Sequence, residues 1–271
     1  MNSIKYIKFI RRLAKPYVDW RRRKEHEKYL HSPDHYYLKT MKGIHEGKRC
    51  FIIGNGPSLR SADLDMLKGE YTFASNRIFK IFDQTSWRPT YYLSVDDRVL
   101  KEIQPDLVKH ELGHMFLKYT ECTLNLPTNK LTKIYDRNLV LNINGNFHKN
   151  TSIYVSEDVS DIVCDGGTVT FNALQLAIYM GFKELYLLGV DNNFSHTIDA
   201  SGHLNIDTSV QDYFDGGRYA DGNLAAIDKM EFAYVIAKEY CDTHGIKIYN
   251  ATRGGRLEVF ERVNLDELFK Q

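Results

Sequence analysis

The chain has 271 residues, of which 43% are hydrophobic and 26% charged, and its formal net charge is +1 at pH 7. This composition is typical of a globular protein and excludes an intrinsically disordered one. The charge is uneven: residues 1–28 hold ten Lys and Arg against three acidic residues, a net +7 there and −6 over the rest. A basic segment followed by an acidic body argues against a nucleic-acid-binding protein.

The N-terminal residues predict a helical segment, which we assign to residues 1–45. Between residues 4 and 16 apolar side chains alternate with Lys and Arg at helical spacing, as in a basic amphipathic helix. Such a helix suits the anionic interface of a membrane. The same spacing also fits a helix that packs on the domain or on a second subunit, so a homo-oligomer remains an alternative.

Cysteine usage and hydropathy predict a cytoplasmic protein. Four cysteines are scattered along the chain without CxxC spacing, at positions 50, 122, 164 and 241. This is typical of buried thiols in a reducing compartment. The sequence lacks the apolar run of a membrane span, and residues 1–13 are too interrupted by charge for a signal peptide.

From residue 46 to residue 271 the pattern alternates between strand and helix. Strands are predicted at 50–53, 71–75, 89–95, 115–119, 139–143, 184–190 and 247–249, and helices at 61–68, 171–180 and 223–244. Residues 102–160 are otherwise predicted to be polar connections. This alternation predicts an α/β fold: a single Rossmann-like domain with a mainly parallel sheet and helices on both faces.

A glycine turn follows the first predicted strand, with the sequence Gly54-Asn55-Gly56-Pro57-Ser58. Its glycines permit positive φ and close approach of a ligand to the backbone, and Pro57 suits the first turn of a helix. We expect the remaining N–H groups to face outward and bind an anion such as a nucleotide phosphate. A turn that binds nothing is the alternative, because the motif lacks the third dinucleotide-binding glycine and the P-loop lysine.

Small polar residues follow four of the predicted strands, and a Gly-Gly-Thr turn at residues 166–168 leads into the predicted helix at 171–180. Because the carboxyl ends of parallel strands share one edge of a sheet, these residues predict one ligand site. The predicted nucleotide-binding residues are Gly54, Asn55, Gly56, Ser58, Asn76, Arg77, Asp96, Gly166, Gly167, Thr168, Asp191 and Asn193.

Residues 194–222 show no strand or helix pattern, which is typical of an active-site lid or of a disordered loop. Its polar residues are catalytic candidates. They are His196, His203, Tyr213, Arg218, Tyr219 and Asp221.

We expect no required cofactor. Asp96 and Asp97 are the best placed pair for a magnesium ion, whereas the Asp63-Leu64-Asp65 motif lies on a predicted helix away from the strand ends. No His and Cys spacing in the sequence indicates zinc.

Several motifs in combination resemble known families. These are GNGPSL at 54–59, Asn76 after the second strand, GGTVTFNALQLAIYMGFKELYLLGVD at 166–191 and HGIKIYNATRGG at 244–255. They resemble the domain shared by motility-associated flagellin glycosyltransferases and archaeal pterin pyrophosphokinase-like proteins. The same order of motifs is similar to that of bacterial lipooligosaccharide sialyltransferases, and the resemblance covers about residues 48–262.

The sialyltransferase resemblance implies one Rossmann-like domain with a lid that binds CMP-sialic acid without a DxD-held metal. It implies nucleotide contacts from Asn55, Gly56 and Ser58, a phosphate or sugar contact from Asn76, and a cytidine or ribose contact from the Gly167-Thr168 turn. The family's lid supplies tyrosines to the leaving phosphate and a histidine base. In this chain Asn193 stands at the first tyrosine position and Asp221 at the base position, which leaves the donor sugar open.

These observations predict an inverting glycosyltransferase. It would use a nucleotide sugar, CMP-linked by preference, to extend a glycan or lipid-linked acceptor of capsule or lipopolysaccharide at the inner face of the cell membrane. We predict Asp221 as the base, with His203 or His196 as alternatives. Arg218, Tyr213 and Tyr219 are predicted to face the departing phosphate. The alternatives are a magnesium-dependent hydroxymethylpterin diphosphokinase and a nucleotide-binding protein without catalysis.

Overall fold

The computed structural model describes residues 3–120, 123, 126, 130–137, 139–141, 147–149, 153–198, 203–217 and 226–270. For residues 3–15, 136–137, 139–141, 147–149 and 198 it describes the backbone alone.

An eight-stranded sheet forms the centre of the molecule. In chain order its strands are β1 (Arg49–Ile53), β2 (Tyr71–Ser75), β3 (Tyr91–Ser94), β4 (His114–Lys118), β5 (Leu131–Ile134), β10 (Glu184–Leu188), β13 (Lys247–Asn250) and β14 (Glu261–Arg262). Across the sheet the order is β14-β13-β10-β1-β2-β3-β4-β5, and every neighbouring pair is parallel. The predicted α/β fold with a mainly parallel sheet is confirmed.

Helices cover both faces of this sheet. They are α1 (Ser3–Leu30), α2 (Pro33–Thr40), α3 (Ser61–Met66), α4 (Asp97–Lys109), α5 (Val169–Tyr179) and α6 (Ile227–Thr243), with 3₁₀ helices at Ile78–Gln84 and Leu265–Phe269. In β1, Cys50 and Ile52 belong to the core with α2, α5 and α6, whereas Phe51 and Ile53 belong to the core with α3 and α4. Burial on both faces explains why this strand is a continuous apolar run.

The N-terminal segment is joined to the domain from about residue 26 onward. Tyr29 is fully buried and stacks on Tyr135 with ring centroids 5.5 Å apart. Leu38 and Met41 belong to the core under the sheet, and the Asp34 carboxylate accepts the backbone N–H of Lys133 at 2.9 Å. Among the described residues, no helix combines the length and apolar character needed to cross a membrane.

Several segments differ from the sequence prediction, among them β5, which lies where we expected a polar connection. Helix α4 lies where we expected a polar connection, and the predicted strand at 139–143 is β7 (Leu139–Leu141), which pairs with β8 (Phe147–Lys149) outside the main sheet. Residues 142 and 143 of this predicted strand lie outside the described residues. The predicted irregular lid contains an antiparallel pair, β11 (His196–Ile198) and β12 (Leu204–Ile206), whose side-chain alternation is too short to recognise in the sequence. Two short strands, β6 (Asp136–Arg137) and β9 (Val163–Cys164), pair separately.

Candidate functional site

A cavity of about 850 Å³ opens at the carboxyl ends of β1, β2, β3 and β10. The start of α5, the segment 212–217 and the start of α6 complete its walls. Ten of the twelve predicted nucleotide-binding residues line it. These are Gly54, Asn55, Gly56, Asn76, Arg77, Asp96, Gly167, Thr168, Asp191 and Asn193. The polar residues after the predicted strands therefore indicated where the cavity lies. Several of them form hydrogen bonds or ion pairs within the protein that the sequence did not predict.

The glycine turn after β1 does not offer the free amides that the sequence predicted. The Gly54 N–H donates to the carbonyl of Leu188 at 2.8 Å, and the Gly56 N–H donates to the carbonyl of Gly189 at 2.8 Å. The helix that follows, α3, begins only at Ser61 and has six residues. The two glycine N–H groups of the predicted anion site are therefore used within the protein, by the last residue of β10 and by Gly189.

Close packing between the two turns also explains both glycines. A Cβ at Gly54 would overlap the Gly189 carbonyl, with its carbon 2.8 Å away. A Cβ at Gly56 would overlap the Asp191 carboxylate and lie 2.8 Å from the Gly189 oxygen. Neither position tolerates a side chain, and the neighbour that excludes it is the protein itself rather than a ligand.

Asp191 is the carboxylate that this packing encloses. It is 7% exposed, and its Oδ2 accepts the Ser58 hydroxyl at 2.8 Å and the Ser58 N–H at 3.4 Å. Burial raises the pKa of Asp191, while the hydrogen bonds from Ser58 oppose that shift. Ser58 is not among the residues that line the cavity, and the contact that the structure shows for it is with Asp191, so its nucleotide contact stays a prediction.

The side chain of Asn55 carries a buried hydrogen-bond acceptor. Its Nδ2 donates to the Ser75 carbonyl at 3.1 Å, which fixes the orientation of the amide. Its Oδ1 is buried and has no hydrogen-bond partner among the described residues. The Asn55 backbone carbonyl accepts the Phe214 N–H at 2.9 Å, so the lid is tied to this turn.

Asn192 repeats this arrangement at the end of β10, and the sequence prediction passed over it. The residue has a φ of 49°, and its Nδ2 donates to Glu231 Oε1 at 2.9 Å. The Oδ1 atoms of Asn192 and Asn193 are both buried without a partner in the part of the chain that is described. Buried acceptors without a donor are rare in proteins, so these oxygens mark this wall of the cavity as a candidate place for the N–H or O–H groups of a ligand. The sequence Asp191-Asn192-Asn193 after a predicted strand was the signal that could have identified Asn192.

Asn76 is held in a left-handed conformation at the end of β2, with a φ of 50°. Its backbone carbonyl accepts the Tyr92 hydroxyl at 2.5 Å, and its Oδ1 accepts the Ser94 hydroxyl at 2.9 Å. The side chain is therefore fixed by β3, and its Nδ2 is the amide donor left for a ligand.

The basic side chains of the cavity are largely engaged. Three of the four Lys and Arg among the described lining residues form ion pairs. The pairs are Arg77 with Glu102, Lys80 with Asp215, and Lys118 with Asp97. The two hydrogen bonds to Glu102 raise the pKa of Arg77. A phosphate would have to compete with carboxylates for each of these cations.

The proposed magnesium pair has other partners as well. Asp96 is the N-cap of α4, and its Oδ1 accepts the N–H groups of Arg98 at 2.7 Å and Val99 at 3.1 Å. The Asp97 carboxylate lies 2.7 Å from the Lys118 ammonium. Within the described ranges, no group of three or more His, Cys, Asp or Glu is arranged to hold a metal ion.

The Gly-Gly-Thr turn forms the wall opposite β1. Gly167 has a φ of +81°, its N–H donates to Asp165 at 2.6 Å, and the Thr168 hydroxyl caps α5. Gly166 is not among the lining residues, and a Cβ there would lie 2.5 Å from the Phe171 ring and 2.7 Å from the Ala233 side chain in α6. Close helix packing therefore explains this glycine, and its nucleotide contact stays a prediction.

The lid candidates divide into three groups. Tyr213 lines the cavity, with the Arg77 guanidinium 5.9 Å from its ring centroid. His196 is buried and His203 is exposed, and neither lines the cavity. The remaining candidates lie outside the described residues. They are Arg218, Tyr219 and Asp221.

The segment from Ser195 to Gly217 is internally tied. Asp212 is buried and accepts both the N–H and the hydroxyl of Ser195 at 2.7 Å. The ion pair between Asp215 and Lys80 joins this segment to the first 3₁₀ helix. These contacts position Asp212 and Tyr213 at the mouth of the cavity.

Comparison with known proteins identifies the family. Among solved structures, the chain is similar to a MAf glycosyltransferase from Magnetospirillum magneticum, with 15% identity and a TM-score of 0.49, over 88% of this chain and 39% of that one. It is also similar to the sialyltransferase CstII from Campylobacter jejuni, solved with cytidine-5'-monophosphate. The identity is 16% and the TM-score 0.40, over 80% of this chain and 85% of that one. The chain thus spans well under half the length of the Magnetospirillum protein. Comparison with curated proteins gives no significant match. The family described as 6-hydroxymethylpterin diphosphokinase MptE-like matches residues 24–197, and the chain belongs to this MptE-like family.

Proposed function

We propose that the protein is a glycosyltransferase that transfers a sugar from a nucleotide donor, CMP-linked by preference, to a bacterial surface glycan such as capsule or lipopolysaccharide. The observation that carries the proposal is the polarity of the cavity. Among the described residues, the amide oxygens of Asn55, Asn192 and Asn193 have no donor, while three of the four lining cations are already paired. A ligand with many N–H and O–H groups and little charge fits such a cavity.

A CMP-linked sugar meets these requirements. Its cytosine amino group, ribose hydroxyls and sugar hydroxyls are donors for the orphan oxygens, and it carries one phosphate. The cavity volume of about 850 Å³ is within the range of ligand pockets. A triphosphate would place more negative charge beside cations that Glu102, Asp215 and Asp97 already neutralise.

The proposed chemistry is a single displacement. The acceptor hydroxyl loses its proton to a base, its oxygen bonds to the anomeric carbon, and the bond from that carbon to the phosphate oxygen breaks. We assign the base to Asp221, as the sequence predicts. Asp191 is not proposed for this step, because its Oδ2 already accepts two hydrogen bonds from Ser58. Asn76 Nδ2 and Tyr213 are the groups proposed to stabilise the leaving phosphate. The displacement requires no metal and inverts the anomeric centre.

A second candidate is supported by the family description, which names a 6-hydroxymethylpterin diphosphokinase. That reaction transfers diphosphate from ATP, and it needs magnesium between the phosphates and protein carboxylates. Asp96 and Asp97 would supply them, at the expense of the α4 cap and the pair with Lys118. A strict magnesium requirement would favour this candidate.

The test is release of CMP from CMP-linked sugars in the presence of a chelator. The proposal predicts release that increases when a surface glycan acceptor is added. Asp221→Asn should lower the rate by about a hundredfold and leave CMP binding intact. Asp207→Asn is the matched control, because Asp207 is an exposed lid residue that accepts hydrogen bonds from Ser209. Retained CMP binding with no release from any donor would instead support a nucleotide-binding protein without catalysis.

A further inference from the structure

The exposed side of α1 carries an aromatic pair. On the opposite side of the helix, Tyr29 is buried and His26 lies on the Tyr135 ring with centroids 4.7 Å apart. Tyr17 and Trp20 are 64% and 53% exposed, and their rings stack on each other at 6.0 Å. Two large aromatic side chains therefore face away from the domain, which is unusual for residues that a core would readily bury.

Cations surround this pair on the same side of the helix. Arg21, Lys24 and Lys28 are exposed, and they follow Tyr17 by four, seven and eleven positions, a spacing that shares one helix face. The nearby acidic residue Glu27 pairs with Lys24 at 2.8 Å. We call Tyr17, Trp20, Arg21, Lys24 and Lys28 the outer face of α1.

The sequence extends this outer face toward the N-terminus. Tyr6, Ile10 and Leu13 precede Tyr17 by eleven, seven and four positions. The same spacing rule therefore predicts an apolar continuation of the outer face over the first half of α1.

We infer that the outer face of α1 binds the surface of an anionic lipid bilayer. Trp and Tyr favour the interface between lipid headgroups and acyl chains, and Lys and Arg beside them meet lipid phosphates. Charge also argues for lipid over a second copy of the chain, because two such faces would bring cations together. The net −6 of the chain beyond residue 28 would be repelled by the bilayer, which orients the molecule with α1 toward it.

The test is sedimentation of the full chain with vesicles of phosphatidylcholine, alone or mixed with phosphatidylglycerol, in the absence of any donor. We expect binding to the anionic vesicles only, and a loss of binding as salt is raised. Arg21→Glu with Lys28→Glu should weaken binding roughly tenfold or more. Lys101→Glu with Lys109→Glu changes the net charge equally on α4 and should bind like the wild type. Tyr17→Ser with Trp20→Ser should weaken binding without changing its salt dependence.

Three results would overturn the inference. One is no binding of the wild-type chain to anionic vesicles, and another is equal loss in the α1 and α4 charge variants. The third is a Tyr17 and Trp20 variant that changes the oligomeric state instead, which would assign the outer face to a second copy. The inference does not depend on the proposed function, since vesicle binding is measured without donor or acceptor and the donor assay is measured without lipid.

Discussion

Replacing Gly56 with Ala tests whether this glycine serves the protein or a ligand. The added Cβ would overlap the Asp191 carboxylate and approach the Gly189 carbonyl oxygen to 2.8 Å. Gly56 is not among the residues with positive φ, so the substitution acts through packing alone. The Gly189 carbonyl belongs to the backbone of the turn after β10, so it cannot rotate away from the added Cβ as the end of a flexible side chain can.

The cost follows from two contributions. Overpacking in a close-packed interior costs about 1 to 3 kcal/mol. Displacing the buried Asp191 carboxylate from its hydrogen bonds with Ser58 costs about 1.5 to 3 kcal/mol more. We expect Gly56→Ala to lower the free energy of unfolding by about 3 to 5 kcal/mol.

Urea unfolding followed by circular dichroism measures this difference without any ligand. Gly217→Ala is the control, because the nearest atom to a Cβ there is the end of the Asp215 side chain, 2.9 Å away, and not backbone. A Gly56→Ala protein as stable as the wild type, with only ligand binding lost, would refute the packing argument. It would restore the explanation that the glycine admits a ligand.

Three further predictions concern charge and hydrogen bonding. Arg253→Met should lower the free energy of unfolding by about 3 kcal/mol, because the Asp63 carboxylate, 2% exposed, would lose the guanidinium 2.9 Å away. The control is Lys270→Met, which breaks an exposed ion pair and should change the free energy of unfolding little. Asn55→Ala should weaken CMP binding about tenfold in calorimetry, since it removes the orphan acceptor, and unchanged affinity would contradict that assignment. The raised pKa of Asp191 means that its contribution to stability is present at low pH and lost as pH rises through the folded-state value. Unfolding from about pH 4 to pH 7 should therefore show the wild type losing stability relative to Asp191→Asn, and parallel curves would contradict this.

The sequence predicted the sheet and the position of the cavity because both depend on local patterns. Apolar runs marked β1, β2 and β10, and the polar residues after them had to meet once the strands were parallel. Residues such as Asn55 and Asn76 therefore came together as expected. Helix α4 did carry a signal that the sequence prediction missed, because Leu100, Ile103 and Leu107 are spaced at helical intervals and are buried, although Pro105 lies inside the helix.

The use of each residue depended on partners far away in the chain. The N–H groups of Gly54 and Gly56 donate to the last residue of β10 and to the first residue after it, more than 130 positions later. The pairing of Arg77 with Glu102 and the capping of α4 by Asp96 likewise require the folded arrangement. Sequence reasoning located the cavity, whereas the allocation of hydrogen bonds within it is a property of tertiary structure.

Isothermal titration calorimetry of the chain with CMP, CDP, UMP, UDP, GDP and ATP, each with and without magnesium, tests the central claim most directly. The polarity of the cavity predicts selective binding of CMP that does not depend on magnesium, because the orphan amide oxygens take donors from the nucleoside and three of the four described lining cations are already paired. Binding of ATP alone, and only with magnesium, would contradict the account and assign the cavity to diphosphate transfer.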